Sequence, residues 1–381
     1  MGRDQGTHDR GLIAYTEKLV NRLVFENLKH RPVRTLLSAI AIGVQVTLML
    51  TLVGASHGML HDTVVRSRGT GADIMVRPPG SSILGFSGAV MSEGFVSLIR
   101  KEPHVALATG SLVQSAGGNF NSITGIDLDQ FNAMSGGFTY LEGGPFKGPG
   151  DLVVDEIYAR GEHLHAGATV NLGLKWHLTG IVESGKMSRM FADLKSVQDK
   201  YSSTGKVSII WVKVDAPDNV PTVLAQLHKD LPEHQILSVE EYSSLISANN
   251  IPMLKDFTYV VIGIGVVIGF LVVFLSMYTV VLERTREIGI LKALGASPGY
   301  VLGILLRETV LLTIAGVIAG IVMTYAAHAL LAVVFPTFIT EVAYDWWPIA
   351  AAIALIAALI GAIYPGLKAA RQDAIEALSY D

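Results

Sequence analysis

Three stretches of the chain carry residue types at spacings that could do chemistry. Gly180–Lys186, read GIVESGK, fits most of the phosphate cradle G-x-x-x-x-G-K-[ST]. In such a loop, backbone amides and the lysine hold phosphates while a final hydroxyl holds magnesium. Met187 occupies the hydroxyl position, and no convincing acidic strand follows. The stretch therefore reads as a turn after a strand, and the chain is not expected to hydrolyse ATP. His57 and His61 lie four residues apart on one helical face, a spacing that can ligate a metal or haem. They are the weak metal candidates, against the plainer reading of a hydrated pair on a stalk helix. His163 and His165 in EHLHAG say less. There is no Ser/His/Asp set, paired-carboxylate context or nucleophile elbow, so no catalytic residue is named.

The third stretch, ERTREIGILKALGAS at Glu283–Ser297, is charged and helix-favouring, and it sits between two long charge-free runs. Its spacing predicts an amphipathic helix with Ile288, Leu291 and Leu294 or Gly295 on one apolar face. Glu283 and Arg286, three apart, make charge pairing on the helix partly available. Gly295 and Ser297-Pro298 are expected to stop this helix and cap the next. A plain loop needs no apolar stripe; this one calls for a groove on another protein or a membrane surface.

The flanks must position that helix. Of 381 residues, 50% are hydrophobic and 16% charged, and the mean hydropathy is +0.44, too apolar for an ordinary soluble chain. About 20 apolar residues cross a bilayer, and four runs qualify: about 36–56, 257–282, 309–335 and 346–367. The third is expected to begin near Val301, with Arg307 and Glu308 snorkelling at the interface. Basic residues precede the first span, lie between the second and third, and follow the fourth. By the positive-inside rule both termini and the middle loop face the cytoplasm. The first span starts too deep to be a cleaved signal. With no cysteine in the chain, the redox compartment goes unreported.

The expected fold class is a membrane α-helical protein of four transmembrane helices, with a large α+β extracytoplasmic domain between helices 1 and 2. Residues 1–34 form a cytoplasmic tail and an amphipathic interfacial helix, and 35–56 the first transmembrane helix. The extracytoplasmic domain takes 57–256. It is expected to be a discontinuous α+β unit at about 57–104 and 205–250, with a β-rich insertion at about 105–204. Stalk helices are expected at 57–68 and 243–256. Residues 257–282, 301–335 and 346–367 complete the transmembrane set, 283–300 hold the cytoplasmic helix and loop, and 368–381 a cytoplasmic tail. Gly265 and Gly269, and Gly316 and Gly320, are small residues at the spacing that lets helices approach in lipid. Gln45 is expected to face a protein interior.

FENLKHRPVRTLLSAIAIGV entering the first span, ERTREIGILKALGAS, and YPGLKAARQDAIEALSYD at the C-terminus together resemble the FtsX-like permeases of ABC systems, in their MacB-type four-helix branch. The resemblance is firm over the membrane half and one of outline over the rest. It implies a permease homodimer or pseudo-dimer over two ABC ATPase subunits, which bind the ATP and magnesium; this chain binds no cofactor. Only 34 residues precede the first span, so the ATPase is expected on a separate chain. The resemblance assigns ATPase coupling to Glu283, Arg284, Arg286, Glu287, Ile288, Gly289, Leu291, Lys292 and Gly295. It implies export or extraction of an amphiphile (drug, peptide, lipid, lipoprotein or haem) from the cell's inner membrane by moving the extracytoplasmic domain. A periplasmic adaptor or external effector is a further expected partner, beside the lipid bilayer; nucleic acid is not. The alternative is an FtsX-like regulatory machine activating an external partner such as a cell-wall hydrolase. A membrane-anchored enzyme ranks last.

Overall fold

A computed structural model of the chain describes residues 32–81, 88–116, 122–246 and 252–372. The expected interfacial helix before residue 32 and most of the expected C-terminal tail lie outside these. The described residues fall into two compact units. Unit one takes 32–55, 253–330 and 340–372, and unit two takes 56–252 and 331–339.

Long, mainly apolar runs favour helices in lipid, where every backbone amide must be bonded within its own segment. Unit one is built from such helices: α1 (Pro32–Arg68) up to Ala55, α2 (Pro252–Glu283), α4 (Pro298–Val334) up to Leu330 and α5 (Trp346–Arg371), with the short α3 (Thr285–Ala293) between α2 and α4. All four long helices are long and apolar enough to cross a membrane. Their shared core combines Ile42 and Val46 of α1 with Val273 of α2 and Leu305 of α4. Alanines 350, 354, 358 and 362 of α5 recur every fourth residue and are almost fully buried, so the backbone itself approaches its neighbours along that stripe.

Unit two holds a ten-stranded mixed sheet. Its strands are β1 (Ile74–Arg77), β3 (Val105–Ser115), β4 (Ser122–Ile126), β5 (Tyr140–Gly143), β6 (Asp151–Asp155), β7 (Thr169–Asn171), β8 (Lys175–Val182), β9 (Met190–Asp193), β11 (Ile209–Val214) and β12 (Gln235–Ser238). The order is β12-β1-β11-β3-β4-β9-β6-β8-β5, with β7 alongside β8. The β4–β9 and β6–β8 pairs are parallel. A separate pair joins β2 (Met91–Ser92) to β10 (Lys206–Val207). Trp176, Leu112 and Ile74 anchor the main core, and a second cluster gathers Phe131 and Phe191.

Two expectations meet a different architecture. The stretch expected to rise as an insertion from residue 105 shares one sheet with its surroundings, because β3 pairs with β11 across Val105–Ser111 and with β4 beyond. Hydrogen-bonded strands extend a sheet regardless of sequence texture. The first expected stalk is continuous with α1 to Arg68. The second, expected over 243–256, is not one helix: the short helix Val239–Leu245 ends before Ile246, and 247–251 lie outside the described residues.

Candidate functional site

Every local feature of α3 follows from its sequence. Arg284 leaves helical geometry between α2 and α3, and its N–H donates to the Val280 carbonyl at 3.1 Å. At the other end Gly295 takes a φ of 92°, a left-handed conformation that glycine alone adopts without strain. The Ala296 N–H then donates to Leu291 O, and the Gly295 N–H to Lys292 O, each at 3.0 Å. That double closure is the Schellman helix stop. Ser297 Oγ accepts the Tyr300 N–H at 3.2 Å, capping α4 one residue before Pro298.

The helix has two faces. Thr285, Ile288, Gly289 and Lys292 point inward, and Arg286, Glu287, Ile290, Leu291 and Leu294 point out. The expected apolar face is thereby divided. Ile288 is buried with Thr285 and Gly289, and Lys292 is half-buried beside them, whereas Leu291, about 60° round the helix from Ile288, and Leu294, about 120° round, are exposed. Leu294 is 81% exposed, and it and Ile290 lie on the open face although the coupling assignment omitted both. Their i, i+4 spacing beside Glu287 was the available signal.

The two ends of α3 are fastened to α4 and α5. Arg284 donates to Glu287 at 2.8 Å and to Glu308 of α4 at 3.2 Å. Glu308 was expected to snorkel; it is buried instead, because a guanidinium stands within reach. Lys292 Nζ donates to the Ala370 carbonyl of α5 at 2.9 Å and to the Gln372 carbonyl. A helix C-terminus leaves such carbonyls unsatisfied and carries partial negative charge, which an ammonium answers. Lys292, assigned to a partner contact, is thus engaged within the chain. Glu283 ends α2 and Gly295 ends α3, both exposed.

The packing glycines serve contacts inside unit one. A Cβ on Gly316 would stand 2.7 Å from Ile42, and one on Gly320 2.7 Å from Val46. Gly265 and Gly269 face Gln45, which is buried. Gly361, which no spacing marked, meets the Phe270 carbonyl in the same way. In unit two, His57 and His61 follow each other on α1. Among the described residues, no group of three or more His, Cys, Asp or Glu is placed to hold a metal ion. The cradle-like Gly180–Lys186 runs from β8 into a turn, and Lys186 Nζ donates to the Ser135 carbonyl at 2.8 Å and to that of Gly137. Burial pulls its ammonium below the ordinary lysine value.

Four apolar helices, an amphipathic helix fastened across two of them, and a sheet unit between the first two define a multi-pass membrane protein of permease type. Residues 35–230 match the model of the MacB-like periplasmic core domain, and 259–374 that of the FtsX-like permease C-terminal domain. The chain belongs to this FtsX-like, MacB-type family of ABC transporter permeases. It is 30% identical over 222 residues to the uncharacterised ABC transporter permease YknZ of Bacillus subtilis, covering 55% of this chain and 54% of that protein. It is 24% identical to the macrolide export ATP-binding/permease protein MacB of Escherichia coli, over 94% of this chain and 60% of that protein. The chain thus spans little more than half the length of these two relatives. The periplasmic region of MacB from Actinobacillus actinomycetemcomitans aligns at a TM-score of 0.37 and 15% identity, over 47% of this chain and 94% of that structure.

Proposed function

We propose that this chain is the permease subunit of an ABC exporter or extractor, in which a separate ATPase docks on α3 and hydrolysis is read out as movement of unit two. ATP and magnesium belong to that ATPase. The observation that carries the reading is the division of α3. A face of Arg286, Glu287, Ile290, Leu291 and Leu294 stands open, while the helix is fastened to α4 through Arg284 at its start and to α5 through Lys292 near its end. A push on the open face is then delivered to two long helices rather than lost in a mobile loop. Leucine and isoleucine ringed by Arg286 and Glu287 suit a groove with an apolar floor and charged rim, the usual anatomy of a helix-in-groove contact. In this reading both termini and α3 face the cytoplasm, unit two faces outward, and two copies of the chain pair over two ATPase subunits.

The cargo class is amphiphilic: a drug, peptide, lipid, lipoprotein or haem. The four long helices support this reading, because they leave few charges to line a polar path and make leverage the simpler mode of transport. Leu294→Glu should leave the permease inserted and monodisperse. It should cut affinity for the co-expressed ATPase by roughly tenfold or more, as truncation of a central contact residue does. Unchanged co-purification and unchanged ATP turnover would remove α3 from the coupling path. Adding amphiphiles to the intact complex should raise turnover. Stimulation by an external hydrolase in their place would favour the regulatory alternative.

A further inference from the structure

The segment Gly185–Arg189 imitates a phosphate cradle in sequence, yet its polar groups are committed to the far end of α1. The residues of α1 from Ser56 to Arg68 belong to unit two. The Met187 N–H donates to the Arg66 carbonyl at 2.8 Å. A Cβ on Gly69, just past the helix, would collide with the Gly185 carbonyl, so loop and chain meet at backbone contact. Lys186 fixes the loop from behind through its bonds to Ser135 and Gly137.

Arg189 closes the segment directly before β9. Its side chain is 15% exposed, and it joins three parts of the chain. It donates to Asp62 of α1 at 3.1 Å, to Asp155 at the end of β6 at 3.3 Å, and to the Thr337 carbonyl beyond α4 at 3.3 Å. Asp62 also pairs with Arg66 at 3.0 Å. Asp155, 1% exposed, accepts the Tyr158 N–H at 2.7 Å and so caps the next short helix. Two cations and two anions are therefore balanced out of water. Such a cluster adds little net stability over apolar packing, since desolvation offsets attraction. What it does is demand one geometry, because any displacement of α1 from the sheet strands a buried charge.

We infer that the Gly185–Arg189 loop is the clamp by which the sheet of unit two grips the far end of α1, with Arg189 as its positioning residue. The clamp's use in transmission rests on the lever reading above; the grip itself does not. Without it, motion arriving along α1 would be taken up at the helix end instead of carrying β6, β8 and β9.

The chain has no native cysteine, so paired labels can be placed cleanly. Spin labels at Val65 on α1 and Leu141 on β5, both exposed, report the grip in the full-length chain in nanodiscs without nucleotide. Labels at Leu98 and Leu141, both within unit two and exposed, report the sheet unit alone. In Arg189→Gln the first distance distribution should broaden by roughly twofold while the second holds, and Arg189→Lys should restore much of the narrow distribution. If Arg189→Gln broadens both pairs, Asp62→Asn decides, since it breaks the same bridge from the helix side; it must broaden the first pair alone. An unchanged first pair in Asp62→Asn, or in an Arg189→Gln that keeps the second pair narrow, overturns the clamp. Adding the ATPase and a hydrolysis-arrested nucleotide separates the two claims. A wild-type chain with a tight grip that shows no nucleotide-driven shift would refute the lever and leave the clamp standing.

Discussion

Lys292 looks like a surface cation in the sequence, but its ammonium closes the C-terminus of α5. Replacing it with methionine keeps the aliphatic stem and removes the charge. Lys292→Met should therefore lower the thermal stability of the chain in detergent by about 1 kcal/mol, the usual worth of such a bond, with the arginine variant losing less. A methionine variant that melts like the parent would show that the ammonium does not hold α3 to α5. Asp155 sets a second prediction at this scale. Burial raises its carboxyl from an ordinary 3.8 to about 6, against the opposing pull of Arg189, Arg66 and the Tyr158 N–H and with the added push of Asp62. The folded chain thus holds a proton that the unfolded chain releases across that window. Stability contributed by this group is fully present below about pH 4 and is lost as pH rises through about 6. Asp155→Asn should flatten that part of the profile, removing on the order of 2 kcal/mol of pH dependence, as read from melts at pH 4.5 and 7.5. An unaltered slope would place the titrating group elsewhere.

At the scale of elements, the contact of α1 with α4 is set by glycine. Gly316 and Gly320 lie where Ile42 and Val46 press against backbone, and Thr47 Oγ1 donates to the Gly320 carbonyl at 3.0 Å. Gly320→Val introduces three carbons where none fit, so the helices must part or shift. Overpacking of this kind costs about 1–3 kcal/mol, and the variant should show lower yield of folded, protease-resistant protein. Gly263, with open space at its Cβ position, is the control, and Gly263→Ala should be silent. Equal loss from both would mean that glycine content, not close approach, is what matters. The spacing G-x-x-x-G was legible in the sequence, but not which helix each pair would meet. That both pairs meet α1, Gly316 and Gly320 at Ile42 and Val46 and Gly265 and Gly269 at Gln45, depends on how four helices assemble.

At the scale of the molecule, the proposed reading requires α3 and the sheet unit to face opposite sides of the bilayer. An impermeant maleimide should label Leu141→Cys in intact cells and reach Leu294→Cys only after permeabilisation. The absence of native cysteine makes the readout unambiguous. Labelling of both from outside would invert or dissolve the proposed topology, and with it the use of α3 as an ATPase dock.

Covalent order alone was enough for the four spans, the helix after Glu283 and its stop at Gly295. Uninterrupted apolar runs, a glycine that accepts positive φ and a proline at the next helix start act locally. Tertiary structure alone decided which face of α3 stays open, because Lys292 finds its acceptor 78 residues away and Arg284 finds Glu308 24 residues away. It also joined β3 to β11 and turned a look-alike phosphate loop toward the end of α1. A side chain's exposure and a strand's neighbour are properties of what folds against them, and no window of consecutive residues contains that information.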